Sequence, residues 1–257
     1  MPITVLNNVR IQYHTFGQGA PIIFVPPPMV GSFVFYKQAI DLSRQFRVIL
    51  MELRGHAGSD VSKNPLSYPI VADDICHLMD SLNLYRAVVA GYSMGGQIAL
   101  EFARRYPERA YGIIPISAFS EVCDARLRME LSMALKFAQP AGMQTLALAL
   151  AVANADSRRA LRNMYLSGMR CHVRNVADLF GEAIRYRCSD DLSSMRMPIQ
   201  LVFGEKDRRL LRYREIFRNC LPQATQVVIP GAHHQVPTRA AETLNEEICR
   251  FLRAIDV

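Results

Sequence analysis

No apolar run in this 257-residue chain is long enough to cross a bilayer. The longest, Leu146 to Ala153, falls well short of the ~20 residues that a spanning helix needs. Its alanines and leucines read instead as a buried helix. The six cysteines, Cys76, Cys123, Cys171, Cys188, Cys220 and Cys249, stand singly with no C-x-x-C pair. That spacing does not suggest zinc, and in a chain of this length they read as thiols rather than staples. Neither a dinucleotide fingerprint nor a cluster of metal-ligand residues is present, so the reading calls for no cofactor and no metal. The first residues, M-P-I-T-V-L-N-N-V-R, lack the basic start and long apolar core of a secretory signal, and the expectation is a cytoplasmic protein.

The formal net charge is +7, yet the arginines are dispersed and no basic run interleaves with aromatics. A nucleic-acid surface would need that interleaving, so nucleic acid is excluded as the expected partner. Half the residues are hydrophobic and 21% are charged, the balance of a globular protein with a sizeable core. The expected partner is a small molecule, and the expected state is a monomer or homodimer.

Short β-branched and aromatic runs alternate with longer helical patterns, which predicts a mainly parallel sheet covered by helices. Residues 9–16 alternate and then meet Gly17 and Gly19, predicting an early antiparallel strand. Further strands are expected at 21–25, 46–51, 87–90, 113–116, 198–203 and 226–229. A helix is expected over 69–82, and another over about 238–255. Between about 118 and 192 there are only helical patterns, broken near Pro140-Ala141-Gly142 and near Asn154 to Ser157. The predicted organisation is therefore a core of residues 1–117 and 193–257, with a helical cap of residues 118–192 inserted over the sheet edge where ligands bind.

The strongest chemical signal is Gly91-Tyr92-Ser93-Met94-Gly95, a G-x-S-x-G sequence set between a buried strand and a helix. A sharp strand-to-helix turn there presents the serine hydroxyl above the sheet, near the positive end of a helix dipole. The Met94 N–H then points where an oxyanion would form. Glu52-Leu53-Arg54-Gly55-His56-Ala57-Gly58-Ser59, Gly204-Glu205-Lys206-Asp207 and Pro230-Gly231-Ala232-His233-His234 complete a set that resembles the α/β-hydrolase superfamily over nearly the whole chain. The resemblance implies an eight-stranded, mostly parallel sheet with helices on both faces and a helical cap after the sixth strand. A serine at the elbow, and the complete lack of tryptophan, argue against the haloalkane dehalogenases and epoxide hydrolases that are similar in fold.

A serine hydroxyl needs a base to become a nucleophile. His14, His56, His77 and His172 read as structural or surface residues. The family loop ends on its histidine, which falls on His234, with His233 as the alternative. Asp207 follows the strand at 198–203 and gives the chain order serine, acid, histidine. Glu205 lies two positions earlier, Asp190 and Asp191 lie at the wrong end of the strand, and Glu121 is the alternative acid. The second oxyanion donor departs from the family pattern. Aligned without a gap, the position falls on Pro28, which has no N–H, so the donor is expected at Met29 or, alternatively, Val30.

The cap methionines, Met129, Met133, Met143, Met164 and Met169, read as gap-fillers or as a pliable apolar lining. The cap arginines read as solvated, with one available to clamp a substrate carboxylate. The expected function is hydrolysis of a carboxylic ester, lactone or related acyl substrate through an acyl-enzyme on Ser93. Carbon–carbon bond hydrolysis, acyl transfer or perhydrolysis on the same triad is the alternative, and a slow-turnover ligand sensor is the third reading.

Overall fold

A computed structural model describes residues 3–6 and 9–256. Its strands are β1 (Ile3–Leu6), β2 (Val9–Phe16), β3 (Pro21–Val25), β4 (Arg47–Met51), β5 (Ala87–Tyr92), β6 (Ala110–Ile116), β7 (Gln200–Gly204) and β8 (Thr225–Ile229). They form one sheet in the order β1-β2-β4-β3-β5-β6-β7-β8. The first two strands pair antiparallel, with β2 set against β4 so that Tyr13 faces Met51. Every pairing from β4 to β8 is parallel.

Period-2 alternation divides the strand side chains between two layers. Ile23, Val25, Ile49, Met51 and Val89 face one side, where they pack with Val71 and Ile75 of α2 (Tyr68–Ser81) and Ile98 and Phe102 of α3 (Met94–Arg105). Ile22, Phe24, Val48, Leu50 and Val88 face the other, against α1 (Tyr36–Leu42) and α10 (Ala241–Ala254). Both faces of β3 to β5 are covered, which is why these strands read as continuous apolar runs. Between β6 and β7 lie α4 (Ala125–Phe137), α5 (Met143–Asn154), α6 (Arg158–Met169) and α7 (Val173–Arg185). After β7 come α8 (Leu211–Cys220) and, after β8, the short α9 (Val236–Arg239).

Three sequence expectations need correction. Strand β6 begins at Ala110 rather than 113, because Ala87 pairs with Ala110 across an irregular register that its sequence does not announce. The closing helix is broken at Ala240, whose φ of −134° is not helical. Contacts to α5 set the short α9 apart: the Thr238 hydroxyl donates to Asn154 O at 2.8 Å, and Arg239 donates to Ala153 O and Ala155 O. Helix α5 is not buried all round. Met143, Leu146, Ala147 and Ala151 make an inward stripe, whereas Leu148 and Val152 stand 50% and 56% exposed. Strand β1 escapes the alternation reading because it is a short edge strand with an exposed Val5. All six cysteines are free thiols, and no described helix is long and apolar enough to cross a membrane.

Candidate active site

The turn from β5 into α3 holds Ser93 at φ 55°, ψ −119°, a conformation that a residue with a Cβ adopts only under constraint. The constraints are on both flanks. Ser93 N–H donates to Ile116 O at 2.8 Å, and Gly96 N–H donates to Ser93 O at 2.9 Å. A Cβ at Gly91 would meet Gly95 O at 2.0 Å, and one at Gly95 would meet Val25 O at 2.1 Å. The two glycines of the motif are thus required by the closeness of helix, turn and neighbouring strand.

The loops after β7 and β8 are tied to each other. Lys206 N–H donates to Ala232 O at 2.8 Å, and Gly231 N–H donates to Glu205 Oε2 at 2.7 Å. Glu205, weighed as an acid, is therefore a brace between loops. The brace brings Asp207 to His234, whose Nδ1 lies 2.6 Å from Asp207 Oδ2 and whose Nε2 lies 3.2 Å from Ser93 Oγ. With Nδ1–H donating to the carboxylate, Nε2 carries the lone pair and accepts the Ser93 hydroxyl. The Tyr92 ring packs beside the imidazole, 5.3 Å between centroids, and its hydroxyl donates to Asn154 Oδ1 at 2.8 Å.

Asp207 is 4% exposed. Burial pushes its carboxyl up, but the His234 hydrogen bond and charge, with Arg209 behind them, outweigh this and hold it below the ordinary carboxylate value. Arg209 Nε donates to Asp207 Oδ1 at 3.2 Å, and its Nη1 donates to Glu130 Oε2 at 3.1 Å. The sequence reading missed Arg209 and Glu130. Adjacency of Arg209 to the G-E-K-D turn was the only available signal, and Glu130 comes from a distant helix.

The remaining candidates lie apart from this cluster. His233 is exposed. Glu121 faces Arg187 at 3.4 Å, and Asp190 also pairs with Arg187. His56 is buried in the 52–60 loop and its Nδ1–H donates to Arg54 O at 2.8 Å. Met94 opens α3 beside Ser93. Met29 has a φ of 66° and a side chain buried in the core. It is not among the residues that line the cavity above Ser93. Val30 and Pro28, by contrast, line the cavity above Ser93.

That cavity has a volume of about 180 Å³. Its walls are mostly apolar and come from the elbow, the proline turn and the helices between β6 and β7, including Leu127, Leu131, Leu150 and Phe180. Arg209 and Glu130 are its charged wall. Of the five methionines weighed in this region, Met143 and Met164 are buried as packing residues, while Met129, Met133 and Met169 are exposed. None of the five lines the cavity. No group of three or more metal-binding side chains occurs among the described residues.

Residues 21–145 match the family described as "alpha/beta hydrolase fold". The AB hydrolase superfamily protein YisY of Bacillus subtilis (strain 168) is 35% identical over 101 residues, 39% of this chain and 38% of that protein. The enol-lactonase of Burkholderia xenovorans LB400 superposes with a TM-score of 0.85 at 18% identity, covering 98% of this chain and 100% of the other. A thermophilic esterase from Thermogutta terrifontis, with malate bound, superposes with a TM-score of 0.85 at 24% identity, covering 100% and 99%. The sheet, the turn at Ser93 and the loop order of the chain are those of the α/β-hydrolase fold.

Proposed function

We propose that the protein is a serine hydrolase that cleaves a small carboxylic ester, lactone or related acyl compound through an acyl-enzyme on Ser93. The observation that carries this is the unbroken chain from Ser93 Oγ to His234 Nε2 and from His234 Nδ1 to Asp207, at 3.2 and 2.6 Å, beneath a mostly apolar cavity. In this reading His234 takes the Ser93 proton as the hydroxyl oxygen attacks the acyl carbon. Asp207 fixes the imidazole tautomer and stabilises the imidazolium. His234 then returns the proton to the departing alcohol, and a water activated by the same imidazole frees the acid.

The oxyanion is held by the Met94 N–H at the start of α3 and by a second donor from the proline turn. We assign that donor to Val30 rather than to Met29, because Val30 borders the cavity and Met29 does not. Helices α4 to α7 act as the cap, since α4, α5 and α7 each contribute apolar walls. A volume near 180 Å³ suits a short acyl group better than a long one. The structural neighbours named as an enol-lactonase and an esterase accord with this class of reaction.

The test is sustained turnover of p-nitrophenyl acetate by wild type and Ser93→Ala, followed beyond one equivalent of product. The proposal expects multiple turnovers by wild type and at least a 10³-fold loss in the variant. Equal rates in the two proteins would discard it.

A further inference from the structure

The charged lining of the Ser93 cavity, beyond His234 itself, is a single pair, Arg209 and Glu130. Arg209 arrives there from the tight turn after β7, in which Asp207 N–H donates to Gly204 O and Leu210 N–H donates to Asp207 O, each at 3.1 Å. Arg209 Nε donates to Asp207 Oδ1 at 3.2 Å, the one hydrogen bond that this oxygen receives among the described residues. Asp207 Oδ2 is the oxygen that faces His234 Nδ1, at 2.6 Å. One buried carboxylate is thus divided between a permanent cation and an imidazole that becomes a cation only on taking the Ser93 proton.

What the imidazole gains from Asp207 depends on the charge around that carboxylate. A nearby cation opposes a forming imidazolium, and a nearby anion favours it. Glu130 works against Arg209. Its Oε2 accepts from Arg209 Nη1 at 3.1 Å, and its Oε1 accepts from Arg126 Nε at 3.2 Å. Opposite charges therefore alternate from Arg126 on α4 through Glu130 and Arg209 to Asp207. Arg209 and Glu130 are 29% and 34% exposed, enough burial for their fields to escape full screening by water. Among the described residues, no charged group other than Arg209 and His234 touches Asp207. Lys206, Arg208, His233 and Glu205 are exposed on the two loops, and Arg239 of α9 donates to Ala153 O and Ala155 O. Tyr92, beside the imidazole, is a neutral phenol that burial holds well above its ordinary value.

On the reading of Ser93, His234 and Asp207 as a working triad, we propose that Arg209 is a positioning residue that holds the free oxygen of Asp207 and restrains proton uptake by His234, and that Glu130 trims this restraint from α4. The pair sets the lower end of the pH range in which His234 acts as a base. Removing either member moves that end. The two removals move it in opposite directions, because they delete charges of opposite sign. Packing does not imitate this, since loss of a merely structural contact lowers the rate at every pH alike.

The test is kcat/KM for p-nitrophenyl acetate across roughly pH 5 to 9 in wild type, Arg209→Met, Arg209→Lys and Glu130→Gln. Methionine keeps much of the length of the side chain without its charge. In Arg209→Met the acidic limb is expected to move upward by about one pH unit, the order expected of a unit charge a few ångströms away at an effective dielectric constant of about 20, after partial cancellation by Glu130. In Glu130→Gln it moves downward by a smaller amount, and Arg209→Lys, which keeps the charge, returns it close to the wild-type position. NMR titration of the His234 ring, assigned by its loss in His234→Gln, gives the same order of midpoints without turnover. Failure of wild type to hydrolyse the ester would discard the proposed hydrolase, while the NMR order still decides the role of this pair. If Arg209→Met does not fold, the direction of the shift in Glu130→Gln decides it. An unmoved limb, shifts of the two variants in the same direction, or a loss of rate that is equal at every pH would each overturn the proposal.

Discussion

His56 makes a prediction about stability that is worked from burial and hydrogen bonding. Its ring is 1% exposed, Nδ1–H donates to Arg54 O at 2.8 Å, and Nε2 is buried with no partner. A proton on Nε2 would therefore enter a dry site with nothing to accept it. Burial lowers the His56 pKa to about 4, against a smaller upward effect of the Arg54 carbonyl. In the unfolded chain the same imidazole titrates near 6.5. Between these two values the unfolded state binds more protons than the folded one, so stability rises with pH and falls on acidification. The full interval of roughly 2.5 units corresponds to about 3 kcal/mol, fully present above pH 6.5 and lost as pH falls to about 4. For a chain of this size that is about 6–12 °C in Tm.

Other groups shift in the same range, which sets the form of the assay. Burial raises the Glu52 and Asp74 carboxyls, so each contributes stability gained, not lost, as pH falls. Asp207 is held below its ordinary value, and its contribution is lost only at more acidic pH. The His56 share is isolated by comparing wild type with His56→Gln, a neutral side chain able to donate to the same carbonyl. Urea unfolding at half-unit steps from pH 4.5 to 7.5 should show the wild-type curve falling faster by up to about 3 kcal/mol across the window. Parallel curves for the two proteins would refute the reasoning, because they would mean that His56 takes up its proton equally in both states.

Two further perturbations follow. Arg54 donates to Asp74 through Nε at 2.7 Å and Nη2 at 2.6 Å, and the Asp74 side chain is fully buried. Arg54→Ala leaves that carboxylate alone and should cost about 3–5 kcal/mol in chemical denaturation, whereas a loss under 1 kcal/mol would show that the pair is solvated. At the proline turn, Pro28→Ala restores an N–H at the aligned donor position. If Val30 donates, kcat for p-nitrophenyl acetate changes less than about threefold. A gain approaching 10²-fold would instead place the missing donor at residue 28.

The turn at Ser93 was legible because everything it needs is local: a buried strand, two glycines forced by close backbone approach, and a helix start. Asp207 and His234 were legible through their places after parallel strands, since such strands deliver their loops to one edge of the sheet. What escaped depends on contacts between distant segments. Arg209 meets Glu130 across 79 positions, and Glu52 holds Ser32 across 20. Neither pairing leaves a periodic trace. The break at Ala240 escaped for the same reason, because it answers to hydrogen bonds with α5 rather than to a proline or glycine at the break itself. Met29 was read by its distance from Pro28, and its left-handed φ and buried side chain are features that only the folded chain reveals.

The proline turn joins these observations. Three consecutive prolines fix three φ angles and remove three N–H groups that a buried loop would otherwise have to satisfy. The segment leaving β3 is thereby stiff where it forms the wall above Ser93, at Pro27 and Pro28. Its far end is held differently, by the two Ser32 hydrogen bonds to Glu52 Oε1. Val30 borders the cavity above Ser93, and Ser32 lies two residues beyond it. Gly31, at a φ of 72°, supplies the bend between the proline-stiffened wall and the Ser32 anchor. If that anchor positions the Val30 N–H, Ser32→Ala, which removes the hydroxyl's hydrogen bond to Glu52, lowers kcat for p-nitrophenyl acetate, and an unchanged kcat would mean that the prolines alone hold the wall.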